Sequence, residues 1–224
     1  MSTPVIFDLD GTLVDSEQNY FAAGRQLLAR YGVSDFDWEN HSRFIGISTR
    51  ETLETLSAEY GIEAPLDELL AAKNALYLEL ARTSTEVFSE MRKFVERLHA
   101  DGVPTAVASG SSLAAIDAIL VGTGLDALFT VVVSAEEVAH GKPEPDVFLE
   151  AARRLGADPA GCVVVEDAVP GAAAAHAAGM RCIAVPYVAG SSGDPAFAAA
   201  GLLFPGGQGE FTAQAALDWL HGLH

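Results

Sequence analysis

The chain has 224 residues, half of them hydrophobic, a length that suits one large domain or a core with a modest insertion. Thirteen basic against 31 acidic residues leave a formal net charge of −18, which argues against nucleic acid or an anionic membrane as partner, because such binding rests on many cationic contacts to phosphate. No apolar run approaches the roughly 20 residues of a membrane helix, and Met1-Ser2-Thr3-Pro4 lacks the charged start of an export signal, so the cytoplasm is the expected compartment.

Val5-Ile6-Phe7 reads as a short buried strand. Residues 16–82 read as helical, with apolar spacing in 20–31, 49–60 and 66–80 and glycine stops at Gly32 and Gly61. Residues 86–100 follow as a further helix, closed by Asp101-Gly102. Four more apolar, β-branched runs, 105–108, 130–133, 162–165 and 182–185, then alternate with helical patterns at 112–121, 146–155 and 170–178. Residues 189–195 and the glycines of 206–209 read as loops, and 211–223 as a terminal helix. Alternation of this kind predicts an α/β fold, a doubly wound (Rossmann-like) parallel sheet. About ninety residues separate the first two strands, where a crossover needs only a dozen or more. The expected organisation is an α/β core of residues 1–15 and 83–224, with a small helical cap, 16–82, inserted after the first strand.

Cys162 and Cys182 have no CxxC spacing and each begins an apolar stretch, which predicts buried, reduced thiols. The six histidines show no ligand spacing and are expected in surface or capping roles. Nine of the thirteen basic residues lie between Arg25 and Arg97, so Lys142 stands in a stretch poor in positive charge.

In an open parallel sheet, ligands bind beyond the carboxyl ends of the strands. The first run ends in Asp8-Leu9-Asp10-Gly11-Thr12, the second in Ser109-Gly110-Ser111-Ser112 and the fourth in Glu166-Asp167, while Gly141-Lys142-Pro143 follows the third. A turn at Gly11 lets Asp8 and Asp10 approach one point. With Glu166 and Asp167 they form a dense negative cluster that calls for a cation, and hard oxygen ligands suit Mg²⁺. Lys142, the Ser109 hydroxyl and the backbone amides at Gly11 and Gly110 complement phosphate oxygens. Each segment alone has a structural explanation, a turn for the first and a helix start for Glu166-Asp167. Their joint placement at strand ends favours phosphoryl transfer. A calcium loop does not fit, since it needs further acidic positions and a preceding helix.

These four segments, in this order, resemble the four motifs of the haloacid dehalogenase superfamily, in the subgroup with a helical cap after the first motif. The resemblance covers essentially the whole chain. It implies a Mg²⁺-dependent phosphatase of small phosphorylated metabolites. Asp8 is then the nucleophile that forms a phospho-aspartate, and Asp10 the general acid and base. Asp8, the Asp10 carbonyl and Asp167 become the metal ligands, with Glu166 supporting them from behind. Lys142 holds Asp8 to the phosphoryl group, and Ser109 donates to the phosphoryl oxygens.

Segment 44–50, Phe-Ile-Gly-Ile-Ser-Thr-Arg, resembles the specificity loop of this subgroup, which makes Arg50 and Lys73 candidates for substrate binding. β-Phosphoglucomutases are similar in motifs and cap, including a pair like Lys73-Asn74, so a mutase is the alternative. Those mutases place a histidine where this chain has Tyr20, which cannot titrate near neutral pH as imidazole does, and this favours the phosphatase. Ser89-Glu90 departs from the family's usual Pro-Gly at the return from the cap. Asp10 argues against a dehalogenase or a phosphonatase, both of which lack it, and the undamaged motifs argue against a non-catalytic module. A monomer and a homodimer fit the sequence equally.

Overall fold

The computed structural model describes residues 3–45 and 49–223. In chain order, β1 (Val5–Phe7) and β2 (Val14–Asp15) precede the helices α1 (Glu17–Ala29), α2 (Trp38–Ser42), α3 (Thr49–Tyr60) and α4 (Leu66–Thr83). β3 (Glu86–Val87) and α5 (Ser89–Ala100) lead into β4 (Thr105–Ser109), α6 (Leu113–Thr123), β5 (Val131–Ser134) and α7 (Asp146–Leu155). Then come β6 (Val163–Glu166), α8 (Val169–Ala177), β7 (Arg181–Ala184), α9 (Pro195–Ala198), β8 (Leu202–Leu203) and α10 (Ala213–His221). The chain divides into two compact units, Met1–Asp15 with Glu86–His224, and Ser16–Thr85.

The first unit is built on a six-stranded sheet of order β5-β4-β1-β6-β7-β8, with every pair parallel. β1, β4 and β6 are buried along their whole length, which is why they read as continuous apolar runs instead of alternating ones. Successive side chains leave a strand on opposite faces. Ile6 enters a cluster with Ala108, Val133, Phe148, Val164 and the small residues of α8. Phe7 packs edge to face against Phe94 of α5 and against Phe129, with ring centres 5.7 and 5.8 Å away. Helices thus cover both faces. The observed architecture is the doubly wound parallel sheet expected from the alternation.

The details differ in three places. The helix expected over 86–100 begins only at Ser89, because Glu86 and Val87 pair with Asp15 and Val14 as a two-stranded antiparallel ribbon and Phe88 stays extended. Ser89 and Glu90 are thereby the first residues of α5, and the Glu90 carboxylate accepts from the Ala213 amide at 3.0 Å. β8 adds a sixth strand to the sheet edge. The loop expected over 189–195 leads straight into α9, whose start is capped by the Asp194 side chain with Pro195 at the first helical position.

In the second unit, α1 and α4 pack together, and Leu27, Leu53 and Leu69 form one apolar cluster while Leu28, Val33, Phe36, Phe44 and Leu56 form another. His41 corrects the expectation of surface or capping histidines. It is buried, its Nε2 lies 3.0 Å from Glu17 Oε2, and its ring packs against Phe21 and Trp38. A partner 24 residues away satisfies the ring, something its own neighbours could not announce.

Candidate active site

The end of β1 turns sharply. Gly11, at φ +84°, lets the chain reverse so that its amide donates to the Val14 carbonyl, and the Leu13 amide donates to the carbonyl of Leu9. Leu9 and Leu13 are fully buried and anchor the turn that carries Asp8 and Asp10. A side chain at Gly11 would put its Cβ 2.4 Å from Asp167 Oδ2, so Asp167 occupies the space the glycine leaves.

Asp8 is 6% exposed and its Oδ1 accepts directly from Lys142 Nζ. The same ammonium donates to Glu166 Oε1 at 2.7 Å and lies 4.8 Å from the centre of the Phe148 ring. Glu166 Oε2 accepts from the amides of Asp167 and Ala168, both at 2.8 Å. Gly171 in α8 makes this possible, since a Cβ there would fall 1.6 Å from Glu166 Oε1. Glu166 therefore serves first as the partner of Lys142. Asp167 has its Oδ1 bonded by the Thr12 hydroxyl at 2.9 Å.

Asp10 lies opposite the loop after β4. Its Oδ2 accepts from Ser109 Oγ at 3.2 Å and from Ser111 Oγ at 2.7 Å. Ser111 is held in turn by its amide bond to Ser109 Oγ and by the Ser134 hydroxyl, which donates to its carbonyl at 2.7 Å. Gly110 is exposed between the two serines. Asp8, Asp10, Gly11, Ser109, Gly110, Lys142, Glu166 and Asp167 thus all belong to the first unit. Arg50 and Lys73 belong to the second, where Arg50 is exposed and paired with Asp67 at 3.1 Å, and Lys73 is buried with its ammonium 5.9 Å from the Tyr20 ring centre. Of the expected specificity segment 44–50, residues 46–48 lie outside the described residues.

Charge is unbalanced in this cluster. Asp8, Glu166 and Asp167 are all buried, and Lys142 is the ammonium bonded to the first two. Burial works against the Lys142 charge, but Asp8 and Glu166 outweigh it and hold the ammonium above the usual lysine value. Burial pushes the Asp8 carboxyl up to about 8 against the pull of Lys142, with Glu166 and Asp10 adding to the rise. Asp167 is raised well above the usual carboxylate range by burial, then by Glu166 and Asp8. Among the described residues no three His, Cys, Asp or Glu side chains are gathered as a metal site. Two carboxylates, a main-chain carbonyl and water do fit a hard divalent cation, which would relieve this crowding.

A central-strand aspartate held by lysine at the carboxyl edge of a doubly wound sheet defines a hydrolase class, and the chain belongs to it: the model of the haloacid dehalogenase-like hydrolase family matches residues 5–185. It is an enzyme of that family. Over 190 residues it is 36% identical to a bifunctional riboflavin kinase/FMN phosphatase of Arabidopsis thaliana, a match covering 83% of this chain but 49% of that protein, so the chain spans about half the length of that relative. It is 35% identical over 185 residues to a fructose-1-phosphate phosphatase of Escherichia coli, covering 81% of this chain and 95% of the other. The crystal structure of a proposed β-phosphoglucomutase from Thermotoga maritima superposes with a TM-score of 0.82 at 26% identity, covering both chains fully.

Two residues of the cluster escaped the sequence. Ser111 is one hydroxyl among three in its loop, and Thr12 follows the motif's glycine with nothing to mark its bond to Asp167.

Proposed function

We propose that the protein is a Mg²⁺-dependent, cytoplasmic phosphatase of small phosphorylated metabolites, acting through a phospho-aspartate on Asp8. The observation that carries the proposal is the buried Asp8 carboxylate bonded to Lys142, with Asp10 two residues on and held by the Ser109 and Ser111 hydroxyls. A Asp8 oxygen attacks phosphorus in line, and the bond from phosphorus to the ester oxygen breaks. Asp10 supplies the proton that the leaving oxygen takes up, then receives one from the water that cleaves the phospho-aspartate and frees phosphate. Lys142 keeps Asp8 oriented and offsets charge on the phosphoryl oxygens; the Gly110 amide donates to them, and the Ser109 hydroxyl does so by turning from Asp10, whereas the Gly11 amide is taken by the Val14 carbonyl and shapes the turn instead. Asp8, Asp167 and the Asp10 carbonyl would hold Mg²⁺, which would supply positive charge to offset the approach of one anion to another. Residues 16–82 act as the cap, with Arg50 and Lys73 selecting the substrate.

Water, not a second sugar phosphate, is the proposed acceptor. Tyr20 stands where the mutases have histidine, and its ring stacks on Tyr77 with centres 4.1 Å apart. Phosphate release from a panel of phosphorylated metabolites with Mg²⁺, including fructose 1-phosphate, FMN and glucose 6-phosphate, tests the proposal beside Asp8→Asn. Loss of about 10³-fold or more in rate is expected for Asp8→Asn, and equal rates refute the nucleophile. Supplied with β-glucose 1-phosphate and a trace of the 1,6-bisphosphate, the enzyme should release phosphate; dominant glucose 6-phosphate makes it a mutase.

A further inference from the structure

The segment after β8 sends one side chain back to the turn that carries Asp8 and Asp10. Gln208 sits in the short turn Gly207–Gly209, and its Nε2 donates to the main-chain carbonyls of Gly11 at 3.1 Å and Thr12 at 2.9 Å. Those carbonyls directly follow Asp10, and the hydroxyl of the same Thr12 bonds Asp167. The oxygen end of the Gln208 amide is buried and has no hydrogen-bond partner among the described residues. Reversing the amide would set that oxygen against two carbonyl oxygens, so the two donor bonds decide its orientation.

The backbone is shaped to make this reach. Gly207 adopts φ +60°, and a Cβ there would lie 2.3 Å from the Pro186 carbonyl oxygen, so only glycine allows the turn to rest on the segment after β7. The Gly207 amide donates to the Phe204 carbonyl at 2.8 Å, and the Gly207 carbonyl accepts from the amides of Glu210 and Phe211 at 3.0 Å. The turn is therefore fixed on both sides of Gln208.

We infer that Gln208 is a positioning residue for the proposed reaction: it clamps the carbonyls of the catalytic turn, so that Asp10 and the Thr12 hydroxyl keep their places. The inference rests on the reading of Asp8 and Asp10 as the reacting pair. Gln208 acts through that turn and touches no reacting atom.

Gln208→Met keeps the length of the side chain and removes both donors, whereas Gln208→Lys keeps a donor at its tip. With p-nitrophenyl phosphate and saturating Mg²⁺, Gln208→Met should lower kcat about 10- to 100-fold, the scale of a small misplacement of reacting groups. KM should stay within about twofold, the signature of an interaction felt in the transition state. Amide hydrogen exchange over residues 9–14 should quicken in Gln208→Met, and Gln208→Lys should regain most of the kcat. A kcat unchanged in Gln208→Met overturns the inference, as does a loss that Gln208→Lys shares in full with unaltered exchange at 9–14. If Gln208→Met does not stay folded at the assay temperature, Gln208→Glu, of the same shape without the amide donors, decides on the same readouts. Activity surviving in Asp8→Asn refutes the catalytic reading instead, and leaves the exchange result at 9–14 to judge the clamp by itself.

Discussion

Replacing Gly171 by alanine pits helix propensity against the site. Gly171 is the third residue of α8, and alanine within a helix is favoured over glycine by about 1 kcal/mol, so local structure alone predicts a more stable protein. The fold predicts the reverse. The new Cβ would stand 1.6 Å from Glu166 Oε1, 1.9 Å from its Cδ and 2.5 Å from Oε2, and the carboxylate must move by more than 1 Å, by simple van der Waals reckoning, to clear it. Glu166 is 1% exposed and accepts from Lys142 at 2.7 Å and from two amides at 2.8 Å, so any such movement breaks a buried ion pair and its supporting bonds. Breaking a buried pair is strongly destabilising, about 3–5 kcal/mol, which leaves a net loss of about 2–4 kcal/mol after the propensity gain. At about 2–4 °C per kcal/mol for a chain of this size, the thermal midpoint should fall by about 4–16 °C. Differential scanning calorimetry of Gly171→Ala and the parent measures it. A midpoint equal to or above the parent's refutes the packing argument and with it the role of Gly171 as the space for Glu166.

Burial holds the Lys73 ammonium below the usual lysine value of 10.5, with Glu17 opposing the shift. The unfolded chain then binds more protons than the folded one between those two values, and stability rises with pH across that window. Lys73→Met, which keeps the apolar stem and removes the buried charge, should raise the thermal midpoint at pH 7, with the advantage gone above about pH 10.5; a lower midpoint at pH 7 contradicts this. Cys162 and Cys182 are fully buried, and burial pushes both thiols above their ordinary values, so iodoacetamide at pH 8 should leave the native protein unmodified by mass spectrometry and label both after unfolding in urea. Rapid labelling of either in the native state overturns their assignment to the core.

The core of the site was legible because its chemistry follows β-branched strands whose ends are easy to find. Asp8, Ser109, and the pair Glu166-Asp167 each stand at the end of an apolar run, and the structure brings them into one unit. The ribbon of β2 and β3 was not legible, since two residues per strand are too few for a period to appear. Gln208 lay among glycines that read as a loop, and the carbonyls it bonds are 196 and 197 positions away. A side chain that recognises main-chain oxygen leaves no residue type at the far end to search for. Gly171 was hidden in the same way, because its purpose is an empty volume that a carboxylate fills, inside a run of alanines where one more small residue means nothing.

The place of β1 in the sheet has a consequence for synthesis. Val5-Ile6-Phe7 pairs with Thr105-Ala106-Val107 on one side and with Val163-Val164-Val165 on the other. At about 5–20 residues per second, the nascent strand waits roughly 5–20 s for its nearer neighbour and longer for the second. Throughout that interval an apolar strand that will become the middle of the sheet has both edges open, and such an edge pairs readily with other chains. The helical segment 17–83, rich in local contacts, leaves the ribosome meanwhile and can fold on its own timescale. Asp8 is thus made early and positioned late: its cluster with Lys142, Glu166 and Asp167 is incomplete on the growing chain until Glu166 and Asp167 have emerged.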